Sequence, residues 1–525
     1  MLTFLRDHNY KLSEHVTSNL ALAIVTMMSS IFAYGFETSV LSTIQAMDAY
    51  EEQFGEWNPK KQVWEFTPSR LAYLNSFPLI TYALGVFLAS FVGERYGRKT
   101  VFISMNSICL VGVIVAYTGR NYTEALVGRL VINIHVGMEA WLVPMWTAEI
   151  VPSAIRGSMV GMYAFSHVLA AFIASVITDR TSKIEGQDSW LIPVACMFIF
   201  PSTALVFSWL IPESPRWLIR KGKFDKAVDN IYYIRSATKD YAAEEEARLV
   251  QEALNDTPTK GKWRELFQGT NNRRTWTGIL ASVATQITGQ AFASNYGTIF
   301  LKMLNVMDPF TGTMIKRAGL LLGTIFVITM VDRIGRRNTS IIFGSLTASC
   351  LLIMGALGTV TPSNVGLQKG VLAMSIIFPC TYMIGFGSTM QVVKSEIPHT
   401  TLRDKSGLVF WTLANLSNFL VTFTLPYLLS APYANLGARV GLIYGSISVA
   451  TVVLIFLFVP EMKNRSLEEV NEMFEAKVPA WRAKDFVATG TNAAAIRRLE
   501  NHERGSVDDK LGGSAVVVHS EEARK

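Results

Sequence analysis

Stretches of about 20 residues or more without a single Asp, Glu, Lys or Arg recur along the chain. Leu71–Val92, Ser158–Thr178, Trp190–Ile211, Thr275–Leu301, Thr339–Val360, Gly370–Val393, Ser406–Ala438 and Val440–Val459 are examples. A hydrocarbon core of ~30 Å is crossed by ~20 apolar helical residues, so each stretch is long enough to span. Only 17% of the 525 residues are charged, against about 25% in ordinary soluble domains. This pattern excludes collagen-like, disordered and disulfide-scaffold chains. It predicts an all-α polytopic membrane protein.

Twelve spans are expected, at 20–47, 71–92, 100–118, 125–147, 158–178, 190–211, 276–301, 314–331, 339–360, 370–393, 407–430 and 440–459. Lys316 and Arg317 make the eighth the weakest. The first apolar run starts at Val16 and continues past Glu37 to Met47. That is too long for the apolar core of a cleavable leader, so it reads as an uncleaved first span. Basic residues cluster between alternate spans: Arg95, Arg98 and Lys99; Arg156; Arg216, Arg220, Lys221 and Lys223; Arg333, Arg336 and Arg337; Arg403 and Lys405. Lys and Arg mark the cytoplasmic side, which also takes both termini. The expected organisation is a six-span bundle over 1–211, a cytoplasmic linker over 212–275, a second six-span bundle over 276–460 and a cytoplasmic tail over 461–525. The linker carries two amphipathic helices, near Lys223–Arg235 and Ala242–Leu254. Gly505 and Gly512–Gly513 mark the far tail as disordered.

The halves echo each other. Gly93-Glu94-Arg95-Tyr96-Gly97-Arg98-Lys99 matches Asp332-Arg333-Ile334-Gly335-Arg336-Arg337. Glu149-Ile150…Arg156 matches Glu396-Ile397…Arg403, and Pro212-Glu213…Arg216 matches Pro460-Glu461…Arg465. The offsets are 238, 247 and 248 residues. Two duplicated six-span halves with a site between them at the midplane form a transporter architecture.

The net charge of +7 follows from basic loops and does not call for nucleic acid. Cys109, Cys196, Cys350 and Cys380 lie within spans without metal-ligand spacing and read as small apolar packers. No nucleophile elbow, Walker loop or metal cluster is present. The reading is therefore not an enzyme, with no cofactor, no catalytic residue and no metal. Asn121-Tyr122-Thr123 is a glycosylation sequon set too close to the membrane for ready use.

An ionisable residue at mid-bilayer costs at least ~2.5 kcal/mol and marks function by default. Glu37 fits that description. In span four, Asn133, His135 and Glu139 add polarity. His135 and Glu139 are four residues apart and can meet on one face, either as a protonatable pair or as a satisfied polar contact. His167 in span five is equally open. Lys316 and Arg317 either snorkel to the interface or face a cavity, which would suit an anionic substrate. Sugar hydroxyls call for amides and an aromatic face. Gln286, Gln290, Asn295 and Tyr296 of span seven and Asn415 and Asn418 of span eleven offer these; interhelical hydrogen bonding is the other use of such amides.

Over roughly residues 20–480 the chain resembles the sugar porter family of the major facilitator superfamily. The resemblance rests on Pro212-Glu213-Ser214-Pro215-Arg216-Trp217, the Gly93–Lys99 loop, Gly128-Arg129 through Pro144-Met145-Trp146 to Glu149, and Pro460-Glu461…Arg465-Ser466-Leu467-Glu468-Glu469. Glu396-Ile397-Pro398…Arg403 and Phe474–Ala480 are most similar to fungal hexose and disaccharide permeases. The resemblance implies the major facilitator fold of two six-helix pseudo-repeats. It also implies proton-coupled symport, with uniport as the alternative, and a sugar and protons as partners; a monomer in the bilayer is expected, with the plasma membrane as the default and the vacuolar membrane as the alternative.

Glu37 takes the place of the titrating span-one carboxylate, one methylene longer, with Arg129 as its partner; a static ion pair is the alternative. Glu94, Arg95, Arg98, Glu149, Arg156, Glu213 and Arg216, with Asp332, Arg333, Arg336, Glu396 and Arg403, would form a gating network that closes in the outward-facing state and breaks in the inward-facing one. Arg–carboxylate forks suit such a network. Gln286 matches the second of the family's paired glutamines, and Asn415 and Asn418 its Asn-x-x-Asn. The family's other pocket positions are altered to Ala164, Thr285, Ala291, Ser388 and Gln391, the last also placed in the pocket. Since a buried unmade hydrogen bond costs ~1–3 kcal/mol, these changes favour a di- or oligosaccharide over a hexose. The alternatives are a transporter or exporter of another polar or anionic metabolite and a nutrient sensor, the latter disfavoured by a tail of about 65 residues.

Overall fold

A computed structural model describes residues 17–59, 61–151, 156–235, 242–255, 261–360, 365–463, 465 and 467–486. The glycines at 505, 512 and 513 lie outside them. Among the described residues, eleven helices are long and apolar enough to cross a membrane. In chain order, spans one to six are Ser18–Ala46, Pro68–Tyr96, Arg98–Thr118, Tyr122–Ile150, Arg156–Thr181 and Asp188–Leu210. Spans eight to twelve are Pro309–Ile334, Arg336–Leu357, Val365–Glu396, Arg403–Leu429 and Gly437–Phe458. Span seven is broken into Gly269–Ile287, Gln290–Ser294 and Gly297–Leu304.

Local chemistry sets several helix starts. Thr17 and Asn121 cap spans one and four by accepting from Leu20 N and Glu124 N. Asp308 caps span eight, and Pro309 follows where a missing N–H does no harm. The Asn121 side chain is thereby engaged in its helix cap. Gly85 and Gly137 let spans two and four touch: a Cβ on Gly137 would lie 2.0 Å from Tyr82 O, and one on Gly85 2.2 Å from Ile134 O.

The duplication is visible in the packing. Span one lies on span five as seven lies on eleven, and span two on four as eight on ten. The halves meet through spans two and eleven and through spans five and eight. These two interfaces exchange under the repeat. The bundle has a basic end, with the Arg-rich loops, and a hairpin end. The latter carries a short helix, Asp48–Phe54, and two strands the sequence did not suggest. β1 (Glu56–Asn58) pairs antiparallel with β2 (Val63–Glu65), with Trp57 opposite Trp64.

At the basic end the linker folds into helices at Pro215–Arg220, Phe224–Arg235 and Ala243–Asn255. They share a small core of Trp217, Leu218, Ala227, Ile231 and Ala247. Thr17 and Asn19 donate to the carbonyls of Ile234 and Tyr233, fixing the start of span one on this layer. The tail helix Leu467–Glu475 docks on span seven, where Arg274 Nη2 donates to Asn471 O at 3.1 Å.

Candidate functional site

A cavity of about 440 Å³ lies between the halves, a size suited to small ligands. Its position follows from the break in span seven. Gly289 has φ +101°, which glycine adopts readily. The helix stops at Ile287 and restarts at Gln290, and the two glutamines flank the gap. Gln286 Nε2 donates to Thr285 Oγ1 (3.1 Å) and Gln290 Nε2 to Ser294 Oγ (3.3 Å). Both amide oxygens are buried without a protein partner and remain available as acceptors. Asn295, Gln391, Asn415 and Asn418 line the same space. Asn415 Nδ2 reaches Leu79 O of the other half at 3.5 Å.

Tyr296 is not among the lining residues. It is 1% exposed, and its hydroxyl lies 2.9 Å from Thr422 O and 3.4 Å from Leu71 O. It ties the halves together above the cavity. Lys302 does the same further out, with Nζ 2.7 Å from Asp48 Oδ1, 2.7 Å from Glu51 Oε2 and 3.0 Å from Ala46 O. Thr311 donates to Asp179 Oδ1 across spans eight and five. The hairpin end is thus shut. Towards the basic end the cavity reaches Lys394 and Trp411, two and eight residues from the basic ends of their helices. Trp411 stacks on Tyr82 with centroids 5.7 Å apart.

Glu37 and Arg129 both line the cavity, but they are not partners. Glu37 is fully buried; its Oε1 lies 2.7 Å from Cys109 Sγ and its Oε2 3.3 Å from His135 Nδ1. Arg129 donates to Leu41 O (3.0 Å) and Asn75 Oδ1 (3.3 Å), while Asn75 and Gln45 bond each other. The reason is register. Leu41 lies one turn beyond Glu37, so Arg129 sits about 5–6 Å nearer the hairpin end. Span four runs the other way, and His135, six residues on, reaches the level of Glu37. His135 therefore does not pair with Glu139, whose Oε2 accepts from the Tyr163 hydroxyl at 3.1 Å. Cys109 is more than a packer, since its thiol donates to Glu37.

The loop residues form two matching clamps. Arg98 grips Glu149 through Nε (3.0 Å) and Nη2 (2.9 Å), and Glu213 accepts from the N–H groups of Arg98 (2.8 Å) and Lys99 (3.2 Å). In the second half Arg336 Nη2 meets Glu396 Oε1 at 3.1 Å, and Glu461 accepts from the N–H groups of Arg336 (2.9 Å) and Arg337 (3.2 Å). Each carboxylate closes a helix N-terminus. Glu94, Arg95, Arg216, Arg333 and Arg403 are exposed and stand outside these clamps. The side chains of Arg156 and Asp332 fall outside the described residues. Both clamps stay within one half and are formed while the hairpin end is shut.

Lys316 and Arg317 resolve differently from each other. Lys316 is 3% exposed, with Nζ 5.7 Å from the centre of the Phe292 ring. Arg317 lines the cavity, and its Nη2 lies 3.4 Å from Ser294 O. His167 also lines it, against Tyr34.

A sequence model of the family described as "Sugar (and other) transporter" matches residues 22–474. The chain belongs to that family. It is a multi-pass membrane transporter and not an enzyme. A low-affinity glucose transporter of Saccharomyces cerevisiae is 27% identical over 478 residues, covering 88% of this chain and 83% of that protein. A high-affinity glucose transporter of Schizosaccharomyces pombe is 23% identical over 503 residues, covering 93% of each. A xylose transporter from E. coli, in a partially occluded inward-open conformation, superposes with a TM-score of 0.70. It is 19% identical, and the match covers 86% of this chain and 100% of that one; this likeness concerns the fold.

Sequence reasoning missed Lys394, Trp411, Asn75, Lys302 and the Cys109 contact. Lys394 had a signal: it is a lysine directly following the expected end of span ten. Trp411, Asn75 and Cys109 lay inside apolar spans with nothing in the pattern to single them out.

Proposed function

We propose that this protein is a proton-coupled importer of a hexose-sized sugar that works by alternating access, and that the state described above is inward-facing. The observation that carries the reading is the set of partnerless amide oxygens at the break in span seven, in a cavity that Glu37 shares. In this reading the basic end is cytoplasmic, as are both termini, and the membrane is the plasma membrane. Residues 1–211 and 276–460 are two rigid bodies that rock about the cavity as a monomer. Residues 212–275 tether them, and 461–525 form the tail.

Gln286, Gln290, Asn295, Gln391, Asn415 and Asn418 hold the hydroxyls, and Trp411 supplies the aromatic face. Tyr296 contributes by closing the site. Glu37 carries the proton, Cys109 and His135 hold its carboxylate when ionised, and Arg129 supplies a fixed positive field one turn away. The clamps built on Arg98, Glu149 and Glu213 and on Arg336, Glu396 and Glu461 keep each half rigid. The curated relatives above are named as glucose transporters, which supports a hexose-sized substrate; nothing supports the preference for larger sugars expected from the altered positions.

The test is uptake of labelled glucose, galactose and their carboxylated derivatives by cells lacking their own sugar carriers, at acidic and near-neutral pH. Wild type should accumulate one of them above the external concentration at acidic pH. Glu37→Gln at equal surface level should only equilibrate it. Undiminished accumulation by Glu37→Gln would remove the coupling role, and absence of uptake of every sugar would remove the reading as a whole.

A further inference from the structure

The cavity is lined by two arginines and a lysine, Arg129, Arg317 and Lys394, by one imidazole, His167, and by one carboxylate, Glu37. Glu37 is engaged by Cys109 and His135, and Arg129 by Leu41 O and Asn75. Arg317 and Lys394 form no ion pair among the described residues; the lone hydrogen bond described for the Arg317 guanidinium is the 3.4 Å one to Ser294 O. A cation held inside a membrane protein faces either a partner or a water-filled path. Arg317 is the ninth residue of span eight, about 12 Å along the helix, too deep for the interface to account for it. Lys316 lies beside it, buried, with Nζ lacking any hydrogen-bond partner. The corner is therefore positive, and it adjoins the amides of Gln290 and Asn295.

The geometry points to a sugar acid as the substrate, a hexose-sized polyol with one carboxylate, with Arg317 binding the carboxylate and the amides its hydroxyls. This rests on the reading of the cavity as the sugar site. A guanidinium fork matches a carboxylate with two parallel hydrogen bonds. One fork with neutral amides around it suits a single negative charge better than the two of a phosphate ester. Lys394 stands two residues before the end of span ten, where the cavity meets the basic end. An anion leaving that way meets attraction, not repulsion. The charge balance is distinct as well. One proton with a monoanion moves no net charge, whereas one proton with a neutral sugar moves one.

The test uses purified full-length protein, first in binding and then in liposomes. Titration with D-galacturonate, D-gluconate, D-galactose and galactose 6-phosphate is followed by tryptophan fluorescence for wild type, Arg317→Gln and Asn415→Ala. Wild type should prefer the acid to galactose, and Arg317→Gln should cut the acid-to-hexose affinity ratio roughly 10- to 100-fold, the range for a hydrogen-bonded charge. Asn415→Ala should weaken both ligands together. In liposomes, proton-driven uptake of the acid should be indifferent to an imposed membrane potential. Tight binding of galactose with no preference for either acid would overturn this proposal and leave the sugar reading standing, as would selection of the phosphate ester. If none of the four binds, both fall. Should Arg317→Gln fail to fold, the selectivity and potential measurements on wild type decide alone.

Discussion

Lys302→Met removes the ammonium that ties the outer part of span seven to the first half. Three acceptors lie within 3.0 Å of Nζ, but they do not count equally. The Asp48 side chain is 95% exposed, so water screens that arm and it adds little. The Glu51 side chain is 15% exposed, and a charge-assisted bond in that setting is worth roughly 1.5–3 kcal/mol. Taking about 2 kcal/mol from the shut state moves the balance towards an open hairpin end roughly 30-fold. A cysteine at Thr38, which lines the cavity, reports this. Labelling by a membrane-impermeant maleimide applied to intact cells should speed up by about that factor in Lys302→Met. Burial pushes the Glu51 carboxyl above the ordinary carboxylate range, while Lys302 pulls it back. The shut state then takes up a proton more readily than an open state with solvated Glu51, so lowering the pH through that interval favours closure. The defect should shrink in acid, and Glu51→Gln in the same chain should restore closure because no unpaired buried charge remains. A double variant as open as the single one would refute the assignment of the effect to Glu51.

Gly97 has φ +103°, and a Cβ there would lie 2.2 Å from Glu213 Oε2. Gly97→Ala should therefore lose the clamp and about 2 kcal/mol or more, read as a lowered melting temperature of purified protein; an unchanged melt contradicts the clamp. Cys109→Ala and His135→Phe each remove a hydrogen-bonding partner of Glu37. Accumulation of the sugar above its external concentration at acidic pH should fall several-fold in each at equal surface level; unchanged accumulation would separate Glu37 from its neighbours. Trp411→Ala removes the aromatic floor shared with Tyr82 and should raise KM roughly 3- to 10-fold with kcat little changed. A fall in kcat alone would place Trp411 in the conformational step.

The fold was legible because its determinants are long-range averages. Uncharged length locates a span whatever its neighbours do, and basic loops alternate whatever the packing. The break in span seven was not legible, since Gly289 sits in a run as free of charged residues as the other spans. The strands at 56–65 depend on Trp57 meeting Trp64 across a turn, a pairing no window average detects. The clamps were half legible. The repeat put Glu213 beside Glu461, but only the positive φ of Gly97 and Gly335 explains why each carboxylate lands on a helix N-terminus.

The candidate site shows where such reading stops. Glu37, Arg129 and six of the seven expected binding side chains do line one cavity, because polarity inside a span has few other places to go. Partnership is another matter. It depends on the vertical offset between antiparallel helices, and one turn of offset replaces Arg129 by His135 at Glu37. The same offset leaves Arg129 bound to backbone and amide groups that do not titrate. A carboxylate paired with Arg129 would have its charge neutralised by a cation that never titrates. Paired with an imidazole and a thiol, it shares its hydrogen bonds with groups that can themselves give or take a proton. Loading and release then need no Arg–carboxylate pair to break, and the effects of altering His135 and Glu37 on uptake should be non-additive. Additive losses of uptake rate in the Glu37→Gln, His135→Phe double variant would show that the contact does not couple them.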